Sequence, residues 1–285
     1  MRIAPFQSFS CPLDGSALEA QGNSLYCAQG HCFDRDRKGA VNLLPVQFKK
    51  TLEPGDSKEM VAHRRLVLES GLYQPVSDFL NGMIDVPHQE TLAILDAGCG
   101  EGYYTQRLVH DLMQRDAVVT LSAVGLDISK YAIQAASGRS RDIQWLVGTN
   151  AHLPLADSSV DIVLCLFGFP VWHEFARVLK PDGVVVCADP GVDHLIELRR
   201  VLYPEIKEKI AEKPVPQGFS VPNILRLQRV VAPPLPHVLD AQIMMTPHGF
   251  RTSNEQRRQA VDTLYDGMTL DVVFSVYRMQ SDDQK

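Results

Sequence analysis

The chain has no run of about 18 apolar residues, which excludes a membrane-spanning helix. Its first residues, Met-Arg-Ile-Ala-Pro-Phe, lack the apolar core of a secretory leader, so a cytoplasmic location is expected. It also lacks the excess of positive charge common in nucleic-acid-binding domains. Lys and Arg number 28 against 34 Asp and Glu, a net charge of -6, so any polyanion must be met by a local patch. Six cysteines are too few for a disulfide scaffold, and in a reducing compartment they are free or metal-bound. What remains is ordinary for a globular protein: 285 residues, 45% hydrophobic and 22% charged, enough for one large domain and a small one.

The chain is organised around Ala93 to Thr105. Ile94 and Leu95 read as a buried parallel strand. Asp96 ends it, and Gly98, Gly100 and Gly102 make a tight turn where backbone approaches a ligand. A dinucleotide fold needs Gly-x-Gly-x-x-Gly around a pyrophosphate. Here the spacing is Gly-x-Gly-x-Gly, and Glu101 inside the turn would repel phosphate. A phosphate-free ligand with a positive end suits it better. S-adenosylmethionine is such a ligand, and Asp96-x-Gly98-x-Gly100-x-Gly102 resembles the first motif of class I methyltransferases.

Downstream features continue that reading. Leu121 to Asp127 is a second strand, and Asp127 at its end suits the ribose hydroxyls of an adenosyl group. Ser129 caps the next helix. Ile143 to Val147 is strand three. Thr149 or Asn150 follows it, where Gly148 to Pro154 resembles a methyltransferase motif whose adenine-contacting Asp is Thr149 here. Strand four, Ile162 to Phe167, leads into Phe167-Gly168-Phe169-Pro170, where aromatics either stack on a flipped base or fill the strand end. Val184 to Ala188 is strand five. Leu202 to Leu235 reads as an excursion. Leu239 to Met245 and Ser253 to Leu264 look helical, Thr269 to Tyr277 is a strand, and the last six residues form a frayed tail.

Near the N-terminus, Cys11-Pro-Leu-Asp14 and Cys27-Ala-Gln-Gly-His31-Cys32 read as two knuckles of a zinc ribbon. The second cysteine of a clean site is Asp14 here. Cys11, Asp14, Cys27 and His31 can make a tetrahedral set, Cys32 is an alternative ligand, and a metal-free ribbon built on Leu18, Leu25, Tyr26 and Phe33 is the rival. Arg35, Arg37, Lys38, Lys49, Lys50, Arg64 and Arg65 concentrate positive charge here, either as solvated surface or as a phosphate contact. Ser57 caps a helix ending near Gly71, and a second helix runs from Val76 to Met83.

Several of these pieces occur together in one family: Cys11-Pro-Leu, Cys27-x3-His31, Val41-Asn-Leu-Leu-Pro-Val-Gln, Pro54-Gly-Asp-Ser, Arg64-Arg65, Gly71-x-Tyr-Gln-Pro and Gly98-Cys-Gly-Glu-Gly-Tyr-Tyr-Thr. The chain resembles the bacterial 23S ribosomal RNA guanine-N1 methyltransferases with an N-terminal zinc module, from about residue 9 to about residue 278. The resemblance implies an α/β, class I (Rossmann-like) methyltransferase with a seven-stranded sheet behind a zinc-ribbon-like module. The expected division is 1–37 for the ribbon, 38–88 for a linker and helices, and 89–285 for the catalytic domain. Implied cofactors are S-adenosylmethionine and zinc, and implied partners are 23S rRNA and a second copy of the chain. Pro190-Gly191-x-Asp-His194-Leu-x-Glu-Leu matches a family signature, which places His194 beside the cofactor with Tyr73, Gly100 and Glu101. The expected cofactor set is therefore Tyr73, Asp96, Gly98, Gly100, Glu101, Asp127, Asn150 and His194. The family has one residue fewer before the Pro of the Phe167–Pro170 loop. Asp189, His173 and Glu174 are candidate bases, and no catalytic residue is assigned. The rival functions are methylation of another nucleotide or small molecule, and non-catalytic RNA binding.

Overall fold

The structure is a computed structural model that describes residues 1–85, 90–115, 119–203, 205–206, 214–232, 235–246, 253–263 and 267–280. The chain opens with β1 (Arg2–Ile3), followed by β2 (Leu18–Gln21), β3 (Ser24–Cys27) and β4 (Cys32–Asp34), which form a small antiparallel sheet in that order. After β5 (Val41–Asn42) come two helices, α1 (Lys58–Glu69) and α2 (Gln74–Met83). The expected cap of α1 is present: the Ser57 hydroxyl accepts from the Met60 N–H at 3.3 Å.

From there strands and helices alternate. They are β6 (Thr91–Ala97), α3 (Tyr103–Gln114), β7 (Thr120–Asp127), α4 (Lys130–Ala136), β8 (Gln144–Val147), β9 (Val160–Leu166), α5 (Trp172–Val178) and β10 (Leu179–Pro190). Alternation of this kind builds a parallel sheet with helices on both faces. The chain then adds α6 (Ile196–Leu202), β11 (Asn223–Val231), α7 (Pro236–Met244), α8 (Asn254–Thr263) and β12 (Met268–Arg278). Leu264 and the tail beyond Gln280 lie outside the described residues.

The main sheet runs β11-β12-β10-β9-β6-β7-β8-β5, with β1 also paired to β7. β12 is antiparallel to both β10 and β11, whereas β10, β9, β6, β7 and β8 are parallel to one another. Strand order reverses between β6 and β9, and in open parallel sheets the ligand cleft lies beyond the strand ends at such a point.

The sheet has nine strands rather than the expected seven. The seven-stranded centre is present, and two short strands from the N-terminal region extend it. β1 pairs Arg2 and Ile3 with Thr120 and Leu121, and β5 pairs Val41 and Asn42 with Leu146 and Val147. Two-residue strands carry no periodicity to read. β11 also falls inside the expected excursion. Its side chains are mostly exposed along an edge, and only Leu225 and Leu227 keep the alternation of a half-buried strand before Arg229 and Val230 break it.

Helices α1, α2, α3 and α7 bury one face of the sheet. The other face is covered by α5 and by the ribbon itself: Phe6, Phe9, Leu18 and Leu25 join Leu95, Val163 and Phe175 in one core. Each such buried side chain contributes roughly 1.5–3 kcal/mol of transfer free energy. The ribbon is therefore fused to the sheet, and residues 38–88 contribute β5 to it as well as linking.

Candidate cofactor cleft and metal centre

Beyond the ends of β6, β7, β9 and β10 lies one cleft of about 2480 Å³. That exceeds the roughly 300–1,000 Å³ of an ordinary small-molecule pocket, so it has room for a cofactor and a second reactant. Tyr73, Asp96, Gly98, Gly100, Glu101, Asp127, Asn150 and His194 all line it. These residues come from five places in the chain, and only the sheet topology brings them together.

The glycine turn is closed to side chains at its last position. Gly102 has φ +81°, in the left-handed region, and a Cβ there would lie 2.5 Å from the buried Trp145 ring. Asp127 is held by the same turn: its carboxylate accepts from the Gly100 N–H at 2.9 Å and from the Ser129 N–H at 2.8 Å. Burial raises its pKa, and those two donors oppose the rise.

Asp96 has a different environment. One oxygen accepts from the Thr105 hydroxyl at 2.5 Å, and the other is buried without a partner. Burial pushes this carboxyl up to about 7. An orphaned acceptor at that depth is a place for a ligand donor. Asn150 repeats the pattern, with its amide N–H on the Ala97 carbonyl at 3.3 Å and its Oδ1 buried and unpartnered. This set of acceptors fits S-adenosylmethionine, which offers an ammonium, ribose hydroxyls and an adenine amine as donors.

Glu101 lines the cleft, but the charge expected of it is already neutralised. Arg139 donates to both its oxygens, each at 2.7 Å, and reaches Glu69 at 2.8 Å. Nothing in the sequence around Arg139 marks it as the partner.

His194 is packed near Tyr73 and Phe167, with ring centroids 6.3 and 6.4 Å away. Its Nδ1 accepts from the Asp271 N–H at 3.3 Å, and burial lowers its pKa to about 4. A neutral ring that accepts at Nδ1 carries its proton on Nε2. The loop bearing it is clamped from β11 and β12. Asp271 accepts from Arg226 at 2.6 and 2.7 Å and from the Asp193 N–H at 2.9 Å. Because β11 is invisible in the pattern, so is Arg226.

The loop after β9 settles the choice for its aromatics. Phe169 is 90% exposed and Phe167 38% exposed, so neither fills the core. Phe167 has φ +56°, a strained conformation for a bulky residue and one that clusters at ligand sites. Among the candidate bases, Asp189 lines the cleft. Glu174 is tied to Arg177 and to the Leu153 N–H, and His173 is exposed outside the cleft. Lys49, Lys50 and Arg64 also line the cleft, whereas Arg65 faces Glu69 and Lys38 reaches the Gln134 carbonyl.

At the ribbon, one ligand atom each from Cys11, Asp14, Cys27 and His31 falls within 4.8 Å of the others. His31 Nδ1 lies 3.4 Å from Cys11 Sγ, 3.3 Å from Cys27 Sγ and 2.9 Å from Asp14 Oδ2, and Cys27 Sγ lies 3.3 Å from that same oxygen. A tetrahedral zinc with ordinary bond lengths sets such edges at roughly 3.3–3.6 Å; the three edges to sulfur match and the His31–Asp14 edge is shorter, so a small opening of that edge seats the ion. Asp14 Oδ1 accepts from the Ser16 N–H at 2.8 Å, which turns Oδ2 inward. Cys32 is exposed and faces Asp34 at 3.7 Å, outside the cage.

Comparison with known proteins matches both the ribbon and the sheet that carries the cleft. Residues 9–52 match the zinc-ribbon family described as the N-terminal part of RlmA, and residues 95–187 match a methyltransferase domain family. The Bacillus subtilis protein YxjB, assigned as a 23S rRNA (guanine-N1-)-methyltransferase, is 37% identical over 207 residues, 71% of each chain. A Micromonospora griseorubida protein with the same assignment is 34% identical over 66% of this chain and 67% of its own. The Streptomyces fradiae 23S rRNA (guanine(748)-N1)-methyltransferase is 30% identical over 70% of this chain and 69% of its own.

Proposed function

The chain belongs to the 23S rRNA (guanine-N1-)methyltransferase family with an N-terminal zinc ribbon, and on that premise we propose that it methylates N1 of a guanine in 23S rRNA. The observation that carries this is the joining, in one chain, of that ribbon and a cleft with orphaned acceptors at Asp96 and Asn150. Bound S-adenosylmethionine supplies an electrophilic methyl group. Asp127 takes the ribose hydroxyls, Asp96 the ammonium, Asn150 the adenine edge, and Tyr73, Gly98, Gly100, Glu101 and His194 complete the walls.

Guanine N1 lies on the Watson–Crick edge, so the base must leave its pairing before it can react. Phe167 and Phe169 stand at the mouth of the cleft to stack on it. Methyl transfer is an in-line displacement in which alignment supplies much of the acceleration. The N1 proton needs an acceptor, and Asp189, at the end of β10, is the carboxylate we assign. His194 presents Nε2–H and therefore donates a hydrogen bond rather than taking the proton.

Cys11, Asp14, Cys27 and His31 hold zinc in the ribbon, residues 1–37, which with Lys49 and Lys50 of the 38–88 segment grips the RNA backbone ahead of the catalytic domain at 89–285. The family resemblance supports a homodimer, which would cover the exposed Ile224 and Val230 of β11. An rRNA substrate supports a cytoplasmic location, and among the described residues no helix is long and apolar enough to cross a membrane. The test is mass mapping of 23S rRNA from cells with and without the protein. One N1-methylguanine should vanish in its absence and return when purified protein and S-adenosylmethionine are added. Persistence of every such base would overturn the proposal.

A further inference from the structure

Arg64 is a cation placed at the glycine turn. Its guanidinium pairs through Nη1 with Asp56, and among the described residues no other hydrogen bond engages it. It lies 3.7 Å from where a Gly100 side chain would begin. It is also close enough to Asp127, Tyr73 and Tyr104 to stabilise a negative charge on each.

The pair is held in place from outside the cleft. Ser129, in the ribose loop, donates its hydroxyl to the Asp56 carbonyl at 2.7 Å. Lys130 and Tyr131 grip Glu53 at 2.6 and 2.8 Å. Gly55, with φ +83°, sits so close that a Cβ would lie 2.8 Å from that of Ser129. The turn before α1 is thus clipped to the loop that carries Asp127, and α1 delivers Arg64 over the cofactor end of the cleft.

Other cations also line the cleft: on α6, Arg199 donates to the Val192 carbonyl at 2.7 Å and Arg200 faces the charge of Glu197. Arg139 is tied to Glu101 and Glu69, and Arg226 to Asp271 and Asp193. Lys49 and Lys50 adjoin Phe48, which stacks on His152 at 4.3 Å between ring centroids, beside the Thr149–His152 turn. The acids described above answer the positive groups of an amino-acid-bearing ligand. Its α-carboxylate still needs a cation, and a planar fork with free N–H groups is suited to one.

We propose that Arg64 binds the α-carboxylate of the methionine moiety and so makes the cleft selective for an intact amino-acid tail. This rests on the S-adenosylmethionine reading of the cleft. The test is calorimetry on the full chain with two probes. One is S-adenosylmethionine. The other is its decarboxylated form, which keeps the sulfonium, the amine and the adenosyl group. The wild type should prefer the first by about tenfold to a hundredfold, the range of a charge-assisted pair. Arg64→Gln should erase that preference by weakening the first probe alone, leaving the second within about twofold. Arg64→Lys, which keeps the charge, should retain part of it. Equal weakening of both probes by Arg64→Gln would assign Arg64 a structural role through Asp56 and overturn the proposal. So would equal affinity of the wild type for both. A wild type that binds neither probe would overturn the cofactor reading itself.

Discussion

The cage around Asp14 and the cleft around Asp96 use one device at different depths. In each, a neighbouring hydroxyl-bearing residue holds one carboxylate oxygen and the other is left for a ligand: Ser16 on Asp14, Thr105 on Asp96. The surroundings differ. Asp14 sits at the surface, and its companions Cys11, Cys27 and His31 lie close in sequence, Cys27 at the end of a strand of a small antiparallel sheet and the other two in loops beside it. Asp96 is buried at the end of a central strand, inside packing that needs no ligand to complete it. The cage is therefore organised by its ion and the cleft by the fold.

The strongest way to break this contrast is to undo the scaffold of the cleft. Replacing Arg139 with Met leaves Glu101, 1% exposed, without its partner. The expected loss is about 3–5 kcal/mol in denaturant unfolding, the cost of an orphaned buried charge. A loss below about 1 kcal/mol would mean the turn does not depend on this pair.

Removing the ion should have the next largest effect, confined to one region. Chelation, or Cys27→Ser, should abolish stoichiometric zinc and strip hydrogen-exchange protection from β2 to β4. S-adenosylmethionine affinity should stay within about twofold, because the two sites share no ligand. Retained protection of β2 to β4 without the ion would show that the ribbon's fused core, rather than its ion, sets its stability.

A third test uses pH. Folded Asp96 holds its proton up to about 7, against an ordinary value of 3.8. Between those values the folded chain binds the extra proton, so this group's contribution to stability is full at acid pH and is lost as pH rises through 7. A cationic ligand favours the ionised form, so its affinity should tighten from pH 6 to pH 8, with proton release on binding below 7. Calorimetry in buffers of different ionisation enthalpy reads both. Asp96→Asn should weaken binding and flatten the profile. His194, at about 4, stays neutral throughout this window.

The smallest effect on the fold is expected at the mouth of the cleft. Phe169→Ala should leave unfolding within about 0.5 kcal/mol and cofactor affinity unchanged. It should lower kcat/KM on RNA about tenfold, since stacking is worth roughly 1–3 kcal/mol per base. Unchanged kinetics would remove Phe169 from base recognition.

Much of this was legible because it is written locally. Gly98 to Gly102 with Asp96, Asp127 after an apolar strand, Ser57 before α1, and the Cys11–His31 spacing each carry their own pattern. What stayed hidden depends on distant pairing. Arg139 acquires its role only when α4 brings it against Glu101. The clamp on the His194 loop needs β11, an edge strand whose alternation spans only Leu225 and Leu227. The outward turn of Phe167 and Phe169 is a backbone event at the end of β9, and residue type alone left packing and stacking open.

The two short strands β1 and β5 have a consequence for synthesis. Arg2 pairs with Thr120, and Val41 with Leu146, so each waits for about a hundred further residues. At roughly 5–20 residues per second on the ribosome, that is about 5–20 s in which the N-terminal region exists without its seat. The ribbon can close around an ion in that time, since its ligands emerge together. The chain would then carry a finished, metal-locked head while the sheet that receives it is still being made, and docking would be a late step of folding.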